Sequence, residues 1–258
     1  MVDKMQTSRY EFKYLIDEVA ARRARQFISS YLLPDHYTVG KEGSGYMVHS
    51  LYMDSADLLT CRATQCGEKN RFKLRVRFYD DNPDSPVFFE IKRRENQVIK
   101  KSRAVVKRSS VDRLINGGFP QPTDLFKPSE KDLAALLDFF ELRDMIGARP
   151  AAYTSYLREG YEPADANNVR VTFDREIRSG KYIGRLSNEN HEKWPLVGVE
   201  GVVLELKFND RFPMWMHELV EWFDLNRTSV PKYVECISLI QHQSPDIPLN
   251  VDSASYLF

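Results

Sequence analysis

The feature that most constrains this chain is the alternation of basic and apolar side chains from Lys69 to Tyr79. Every odd position from 69 to 77 is Lys or Arg, and every even position from 72 to 78 is apolar. A period of two residues is typical of a β-strand, and it places all the basic side chains on one face. Like charges on that face lie about 7 Å apart and repel one another. We therefore expect an anionic ligand to face this strand.

The overall composition hides this concentration of charge. The chain has 258 residues, with 37 basic and 37 acidic side chains. Residues 69–108 nevertheless contain 13 Lys and Arg against 5 Asp and Glu. Zero net charge argues against a protein that coats nucleic acid or an anionic membrane through bulk charge. The aromatic residues Phe72 and Phe78 lie on the face opposite the cations, which also argues against a stacking platform for nucleic acid.

Similar alternation predicts a protein dominated by strands, with a few amphipathic helices. We expect one α+β domain over residues 1–245, built on a mostly antiparallel sheet, and a polar tail at 246–258. Helices are predicted at 17–33, 130–145 and 214–225, the last with Trp215, Leu219 and Trp222 buried. Strands are predicted at 8–16, 47–54, 72–79, 87–93, 98–106, 152–158, 169–177 and 202–208.

Charged side chains recur in phase on several of the predicted strands. The pattern Glu-x-Lys occurs three times, and one strand carries Lys101 in phase with Arg103. If the sheet closes into a barrel, these side chains line its inside, and the apolar face is covered by helices. Arg and Lys in a concave space suit polyphosphate, because guanidinium groups chelate two phosphate oxygens. The few Glu residues would then serve Mg²⁺ or Mn²⁺, which prefer carboxylate oxygens.

Taken in order, these motifs resemble the VTC domain, the polyphosphate polymerase domain of the vacuolar transporter chaperone complex. That family belongs to the superfamily of triphosphate tunnel enzymes, which includes CYTH-type proteins. The resemblance spans about residues 8–240. The segments that carry it are Arg9–Tyr14, Ser50–Ser55, Lys73–Arg77, Glu90–Lys92, Lys101–Arg103, Tyr156–Arg158, Arg170–Asp174, Glu205–Lys207 and Pro231–Tyr233.

The resemblance implies a closed antiparallel β-barrel in which the γ-phosphate of ATP is transferred to a polyphosphate chain with Mn²⁺ or Mg²⁺. It implies a metal ligand at Glu205, with Glu11 as a second, in-phase carboxylate. The implied catalytic residues are Lys13, Arg75, Arg77, Lys92, Arg103 and Arg158. The implied phosphate- and nucleotide-binding residues are Lys73, Lys101, Tyr156, Arg170, Lys207 and Lys232.

One departure from the family pattern concerns the segment after Pro231. The family continues Pro-Lys-aromatic with Ser and then Lys, whereas this chain has Val234 and Glu235. If those side chains point inward, the lost hydroxyl and the reversed charge weaken triphosphate binding.

Three functions from different classes therefore remain open. The first is a polymerase, which needs no general base because the terminal phosphate of the acceptor chain is already anionic. The second is a tripolyphosphatase or NTPase in which water is the acceptor. The third is a non-catalytic module that binds polyphosphate or a nucleotide.

The sequence also bears on location and partners. No run of about 18 apolar residues predicts membrane insertion. The N-terminal residues do not resemble a secretory signal, and three cysteines without a pairing pattern favour a cytoplasmic protein. Any coupling to translocation would need a membrane-protein partner, whose identity the sequence does not indicate.

Overall fold

The computed structural model describes residues 9–40, 45–96, 98–164 and 168–243. The predicted tail at 246–258 lies outside these residues. The strands within them are β1 (Arg9–Ile16), β2 (Leu33–Pro34), β3 (Tyr46–Asp54), β4 (Asn70–Phe78), β5 (Val87–Glu95), β6 (Val98–Val106), β7 (Arg149–Glu162), β8 (Val169–Gly180) and β9 (Val202–Asn209). The helices are α1 (Glu18–Ile28), α2 (Leu59–Gln65), α3 (Arg108–Ile115), α4 (Glu130–Met145), α5 (Met214–Trp222) and α6 (Lys232–Gln243).

The strands form one antiparallel sheet. Their order is β1-β9-β8-β7-β3-β4-β5-β6, and the short strand β2 pairs with β7. In β4, Lys73 lies opposite Lys92 of β5, and Arg75 lies opposite Glu90. In β9, Glu205 lies opposite Lys13 of β1. The register thus aligns charged side chains in rows across neighbouring strands.

The prediction of a closed barrel is wrong. Strands β1 and β6 are the two edges of the sheet, and no backbone ladder joins them in the described ranges. The sheet curls until Cα atoms of the two edges come within 8 Å of one another, but the two edge strands are not paired. A side chain of β5, the strand next to β6, reaches β1, since Lys92 Nζ lies 3.0 and 3.1 Å from the carboxylate oxygens of Glu11. Closure depends on strand tilt and stagger, which an alternating pattern does not specify.

The alternation in β4 correctly predicts the two faces of the sheet. Leu74, Val76 and Phe78 are fully buried on the outer face, where they pack in one hydrophobic cluster with Phe139 of α4. The basic residues between them face the concave side. The apolar core therefore lies between sheet and helices, and the inside of the curl is left polar.

Helix α4 has the predicted bounds, and the side chain of Ser129 accepts a hydrogen bond from the backbone N–H of Asp132 at its start. Helix α1 ends at Ile28, earlier than predicted, because the chain turns there and leads into β2. The expectation of a buried Trp222 is wrong, since its side chain is 71% exposed at the end of α5. In the part of the chain described, no helix is long and apolar enough to cross a membrane.

Candidate functional site

The concave side of the sheet encloses a cavity of ≈ 1120 Å³. It runs the length of β4, from Arg71 near the start of the strand to Tyr79 just beyond its end. Fifteen Lys and Arg side chains and two glutamates of the described residues line it. The basic residues are Lys13, Arg71, Lys73, Arg75, Arg77, Lys92, Arg94, Lys101, Arg103, Lys131, Arg158, Arg170, Lys207, Arg227 and Lys232.

All fourteen site residues predicted from the sequence line this one cavity. They come from seven strands and from the start of α6, so their assembly depends on the strand order rather than on proximity in sequence. Lys69, the first residue of the alternating run, precedes β4 and lies outside the lining.

A fully buried carboxylate, Glu90, organises one side of the cavity. Its oxygens accept hydrogen bonds from Arg75 Nε at 2.6 Å and from Arg103 Nε at 2.7 Å. Lys101 Nζ lies 2.6 Å from Glu90 Oε1. Burial alone would raise the pKa of Glu90, but the charges of Arg75 and Arg77 outweigh it and hold that pKa well below its ordinary value. We call Glu90, Arg75, Lys101 and Arg103 the Glu90 cluster.

Arg77 and Tyr156 extend the Glu90 cluster across β4, β3 and β7. Arg77 Nη2 donates to the hydroxyl oxygen of Tyr156 at 3.0 Å, and Arg77 Nε donates to Ser50 Oγ at 3.4 Å. Both hydrogen-bond partners are uncharged, and Glu90 Oε2 lies 4.0 Å from Arg77 Nε. The position of the guanidinium is therefore fixed without a direct hydrogen bond to a carboxylate. Such fixed donors lose little freedom when an anion binds.

A second group of charges lies across β1, β7, β8, β9 and α6. Asp174 accepts two hydrogen bonds of 2.6 Å from the guanidinium of Arg158. Lys232 Nζ lies 2.7 Å from Asp174 Oδ2 and 2.8 Å from Glu205 Oε1. Burial would raise the pKa of Glu205, but the charges of Lys207 and Lys232 hold it well below its ordinary value. The Glu205 cluster comprises Glu205, Asp174, Lys13, Arg158, Lys207 and Lys232.

Lys13 stands between the two carboxylates that face the cavity. Its Nζ lies 3.5 Å from Glu11 Oε1 and 3.6 Å from Glu205 Oε1, and it donates to the carbonyl oxygen of Val230 at 3.2 Å. An ammonium group therefore bridges two carboxylates here. The ammonium group of Lys13 thus lies where another cation bound by both Glu11 and Glu205 would lie.

The donor set at this point fits a divalent metal that is also held by phosphate oxygens. Mg²⁺ is commonly bound by one or two carboxylates together with water and substrate phosphates, and Glu11 and Glu205 supply two. Among the residues described, no three His, Cys, Asp or Glu side chains gather to hold a metal without such help. Metal binding here would accordingly depend on the anionic ligand.

Lys73 differs from its neighbours because no carboxylate neutralises it. In the described chain no ion pair involves its amine, which lies over the ring of Tyr233 at 5.8 Å from the centroid. Burial and the nearby charges of Lys13 and Lys92 lower the pKa of Lys73 to about 7. An anion in the cavity would restore its charge by supplying the missing partner.

The start of α6 is held against the sheet by the buried carboxylate of Asp54. Tyr233 donates its hydroxyl hydrogen to Asp54 Oδ2 at 2.8 Å, and the same oxygen accepts from Thr60 Oγ1 at 2.9 Å. This anchor fixes Lys232, the residue before Tyr233, at the cavity wall.

The two departures from the family pattern do not line the cavity. Val234 is 1% exposed and packs with Tyr52 and Cys61 in an apolar cluster. Glu235 is half-buried and is also absent from the lining. The condition on which they would weaken ligand binding, that their side chains point inward, is not met.

Four basic residues of the lining, Arg71, Arg94, Lys131 and Arg227, were not among the predicted site residues. The sequence also left two carboxylates, Glu90 and Asp174, without a role. Both occupy in-phase polar positions of their strands, which is the one signal that could have identified them. Both are fully buried, and each holds the guanidinium of a cavity arginine.

Fold and site together define a class of protein in which a curled antiparallel sheet encloses a cavity lined mainly by basic side chains. The chain belongs to the VTC domain family, which matches residues 8–241. Among proteins of curated function, none matches it.

Three solved structures that resemble this chain come from different organisms. A Bacillus halodurans protein, provisionally described as an adenylate cyclase, is 13% identical with a TM-score of 0.48; the match covers 86% of this chain and 93% of that one. A Pyrococcus horikoshii protein is 11% identical with a TM-score of 0.45, over 91% and 99% of the two chains. A Vibrio parahaemolyticus protein, again provisionally an adenylate cyclase, is 11% identical with a TM-score of 0.45, over 89% and 98%.

Proposed function

We propose that this protein is a phosphotransferase of the polyphosphate polymerase type, which transfers the γ-phosphate of ATP to a polyphosphate chain within the cavity. The observation that carries the proposal is the imbalance of charge in the lining, where fifteen basic side chains meet two glutamates. A linear polyanion can neutralise such an elongated surface along its whole length.

The chain's own residues would act mainly by positioning and by neutralising charge. Phosphoryl transfer requires the attacking and leaving oxygens in line and stabilisation of the charge on the transferred group. Arg75 and Arg103, held by Glu90, and Arg77, held by Tyr156, are donors whose geometry is set before the ligand arrives. A divalent metal at Glu205 and Glu11 would supply further charge neutralisation between phosphates.

The absence of an evident general base favours transfer over hydrolysis. No histidine lines the cavity among the described residues. Glu205 and Glu11 are held ionised by lysines, with lowered pKa values that make them weak bases. An acceptor phosphate is already anionic and needs no base, whereas water does.

One observation favours the hydrolase as a second candidate. Lys73, whose pKa is lowered to about 7, is partly uncharged at neutral pH and could accept a proton from water. This role requires the amine to stay neutral while polyphosphate is bound. The nearby negative charge opposes that, so we rank hydrolysis below transfer.

The test is an incubation of the purified protein with ATP and Mn²⁺ or Mg²⁺, in which polyphosphate and free phosphate are measured together. Polymer formation is the expected result. Free phosphate without polymer would replace the proposal with a hydrolase. A rise in melting temperature with tripolyphosphate, without turnover, would identify a binding module.

A matched pair of arginine variants connects the result to the cavity. We expect Arg75→Ala to lower polymer formation by about thirtyfold or more, because truncating a buried charged donor costs about 2–5 kcal/mol. Arg93→Ala is the control, since Arg93 pairs with Asp138 of α4 at 2.6 and 3.0 Å and does not line the cavity. Equal activity of Arg75→Ala and wild type would contradict the proposal.

A further inference from the structure

Three tyrosines gather at one end of the cavity. Tyr46 and Tyr79 line it, and Tyr37, which is not part of the lining, contacts the rings of both. The rings of Tyr37 and Tyr79 stack at 4.8 Å between centroids with an interplanar angle of 21°, and Tyr37 lies 5.2 Å from Tyr46. Tyr46 begins β3 and Tyr79 follows the end of β4, which pairs antiparallel with β3. The tyrosine cluster, Tyr37, Tyr46 and Tyr79, therefore belongs to one end of the sheet.

The turn that carries Tyr37 is fixed firmly to the sheet. The backbone N–H of Asp35 donates to the carbonyl oxygen of Gly160 at 2.8 Å, and the N–H of Gly160 donates to Thr38 Oγ1 at 2.9 Å. A Cβ at position 160 would lie 2.1 Å from Asp35 Oδ2, so only glycine admits the turn at this distance. Tyr37 nevertheless remains 42% exposed. A rigid support thus presents an aromatic ring to solvent.

The tyrosine cluster adjoins the arginines. Tyr46 lies opposite Arg158 in the register of β3 and β7. The Arg103 guanidinium lies over the ring of Phe88 at 4.7 Å, and Phe88 meets Tyr79 edge to face at 5.9 Å. The tyrosine cluster is therefore connected to Arg103 of the cavity lining through the ring of Phe88. A bare polyphosphate has no group that gains from aromatic surface, whereas a nucleoside triphosphate carries a base at one end and phosphates at the other.

We infer that the tyrosine cluster is the base-binding subsite of a nucleoside triphosphate, with Tyr37 providing the stacking surface and the phosphates lying on the adjoining arginines. Stacking on an aromatic side chain tolerates any base, because every base has a π face. The cavity then distinguishes a nucleotide donor from an inorganic polyphosphate at this end. The inference rests on the proposed function only in requiring that the cavity binds triphosphates.

The test compares two ligands by calorimetric titration, ATP and inorganic tripolyphosphate, on the full chain. Because the two differ in charge, the informative quantity is the change in their affinity ratio on mutation. We expect Tyr37→Leu to weaken ATP binding about tenfold and to leave tripolyphosphate binding within twofold. Tyr37→Phe keeps the ring and should keep the affinity for ATP.

Tyr31→Leu is the matched control, because Tyr31 is also exposed (45%) and stacked on an aromatic ring. The rings that Tyr31 contacts, Phe27 and Trp215, do not line the cavity, whereas Tyr46 and Tyr79, which Tyr37 contacts, do. It should leave both affinities unchanged. Equal losses for both ligands in Tyr37→Leu, or no loss for either, would overturn the inference while leaving the proposed function intact. If wild-type protein binds neither ligand, the proposed function fails and the inference fails with it.

Discussion

The central carboxylates of the two charge clusters, Glu90 and Glu205, each belong to a Glu-x-Lys motif. The two clusters differ in the ratio of basic to acidic side chains. Strands β4, β5 and β6 bring eight basic side chains to the cavity, and Glu90 is the one carboxylate that they hold at its wall in the described chain. Strands β1, β7, β8 and β9 with residues 227–233 bring six basic side chains. Four of them, Lys13, Arg158, Lys207 and Lys232, pair with Glu205 or Asp174. Arg170 pairs with Asp35 instead.

The difference assigns unequal tasks to the two clusters. Around Glu90, three basic side chains, Arg75, Lys101 and Arg103, share one carboxylate, so a net positive charge remains. Around Glu205, most basic side chains already pair with a carboxylate. An anionic ligand that binds there would have to replace some of these ion pairs. If the proposed function is right, we expect the first region to contribute more to affinity for an anionic ligand than the second.

The largest expected difference is in stability. Glu90→Gln leaves Arg75, Lys101 and Arg103 with no carboxylate, so we expect the free energy of unfolding to fall by about 3 kcal/mol. Glu205→Gln should cost about 1 kcal/mol, because Asp174 still pairs with Arg158 and Lys232. Urea unfolding measures both. Saturating tripolyphosphate should restore more stability to Glu90→Gln than to Glu205→Gln. An equal loss of unfolding free energy in the two variants would contradict the proposed difference between the two clusters.

A smaller effect concerns protons. Since the pKa of Lys73 is lowered to about 7 by burial and by Lys13 and Lys92, its amine is mostly neutral at pH 8. A bound anion raises that pKa, so binding takes up a proton, and affinity falls as pH rises above about 7.

Calorimetry in two buffers of different ionisation enthalpy measures this proton uptake. At pH 8, Lys73→Met should take up close to one proton fewer than wild type on binding tripolyphosphate. Lys100→Met is the control, because Lys100 pairs with Glu95 and does not line the cavity. Identical uptake by wild type and Lys73→Met would show that Lys73 is not the unpaired cation of the Glu90 side.

The smallest effect is expected at the two departures from the family pattern. Glu235→Lys and Val234→Ser should change tripolyphosphate affinity less than twofold, because neither side chain lines the cavity. Val234→Ser should still lower the free energy of unfolding by about 1–2 kcal/mol, since it places a hydroxyl in an apolar cluster. A tenfold gain in affinity from Glu235→Lys would bring α6 back into the binding surface.

The lining could be predicted from the sequence because a period of two residues determines the face of every side chain in a strand. The period places Arg75, Lys92 and Arg158 on the polar faces of their strands. That they belong to one site was implied by the resemblance to the VTC domain. The different roles of Glu90 and Glu205 could not be predicted, because each depends on which strands lie on either side. Arg103 reaches Glu90 only because β6 follows β5 in the sheet.

Helix α6 shows a different limit. Its sequence contains Val234, Ile237 and Ile240, which suit a strand as well as a helix. Its position is decided by tertiary contacts, above all the hydrogen bond from Tyr233 to Asp54, a residue far away in the chain. Barrel closure was unpredictable for a similar reason, since no local pattern encodes the distance between β1 and β6.

The open seam between β1 and β6 also bears on aggregation. An unpaired edge strand normally offers its backbone N–H and C=O groups to a strand of another molecule. Insertion of a foreign strand would require two spacings of about 4.8 Å, whereas Cα atoms of these edges come within 8 Å of each other. Where the two edges come this close, β1 leaves no room for a foreign strand to pair with β6, and β6 leaves none at β1. The edges are thus protected from intermolecular pairing although β1 and β6 are not themselves paired.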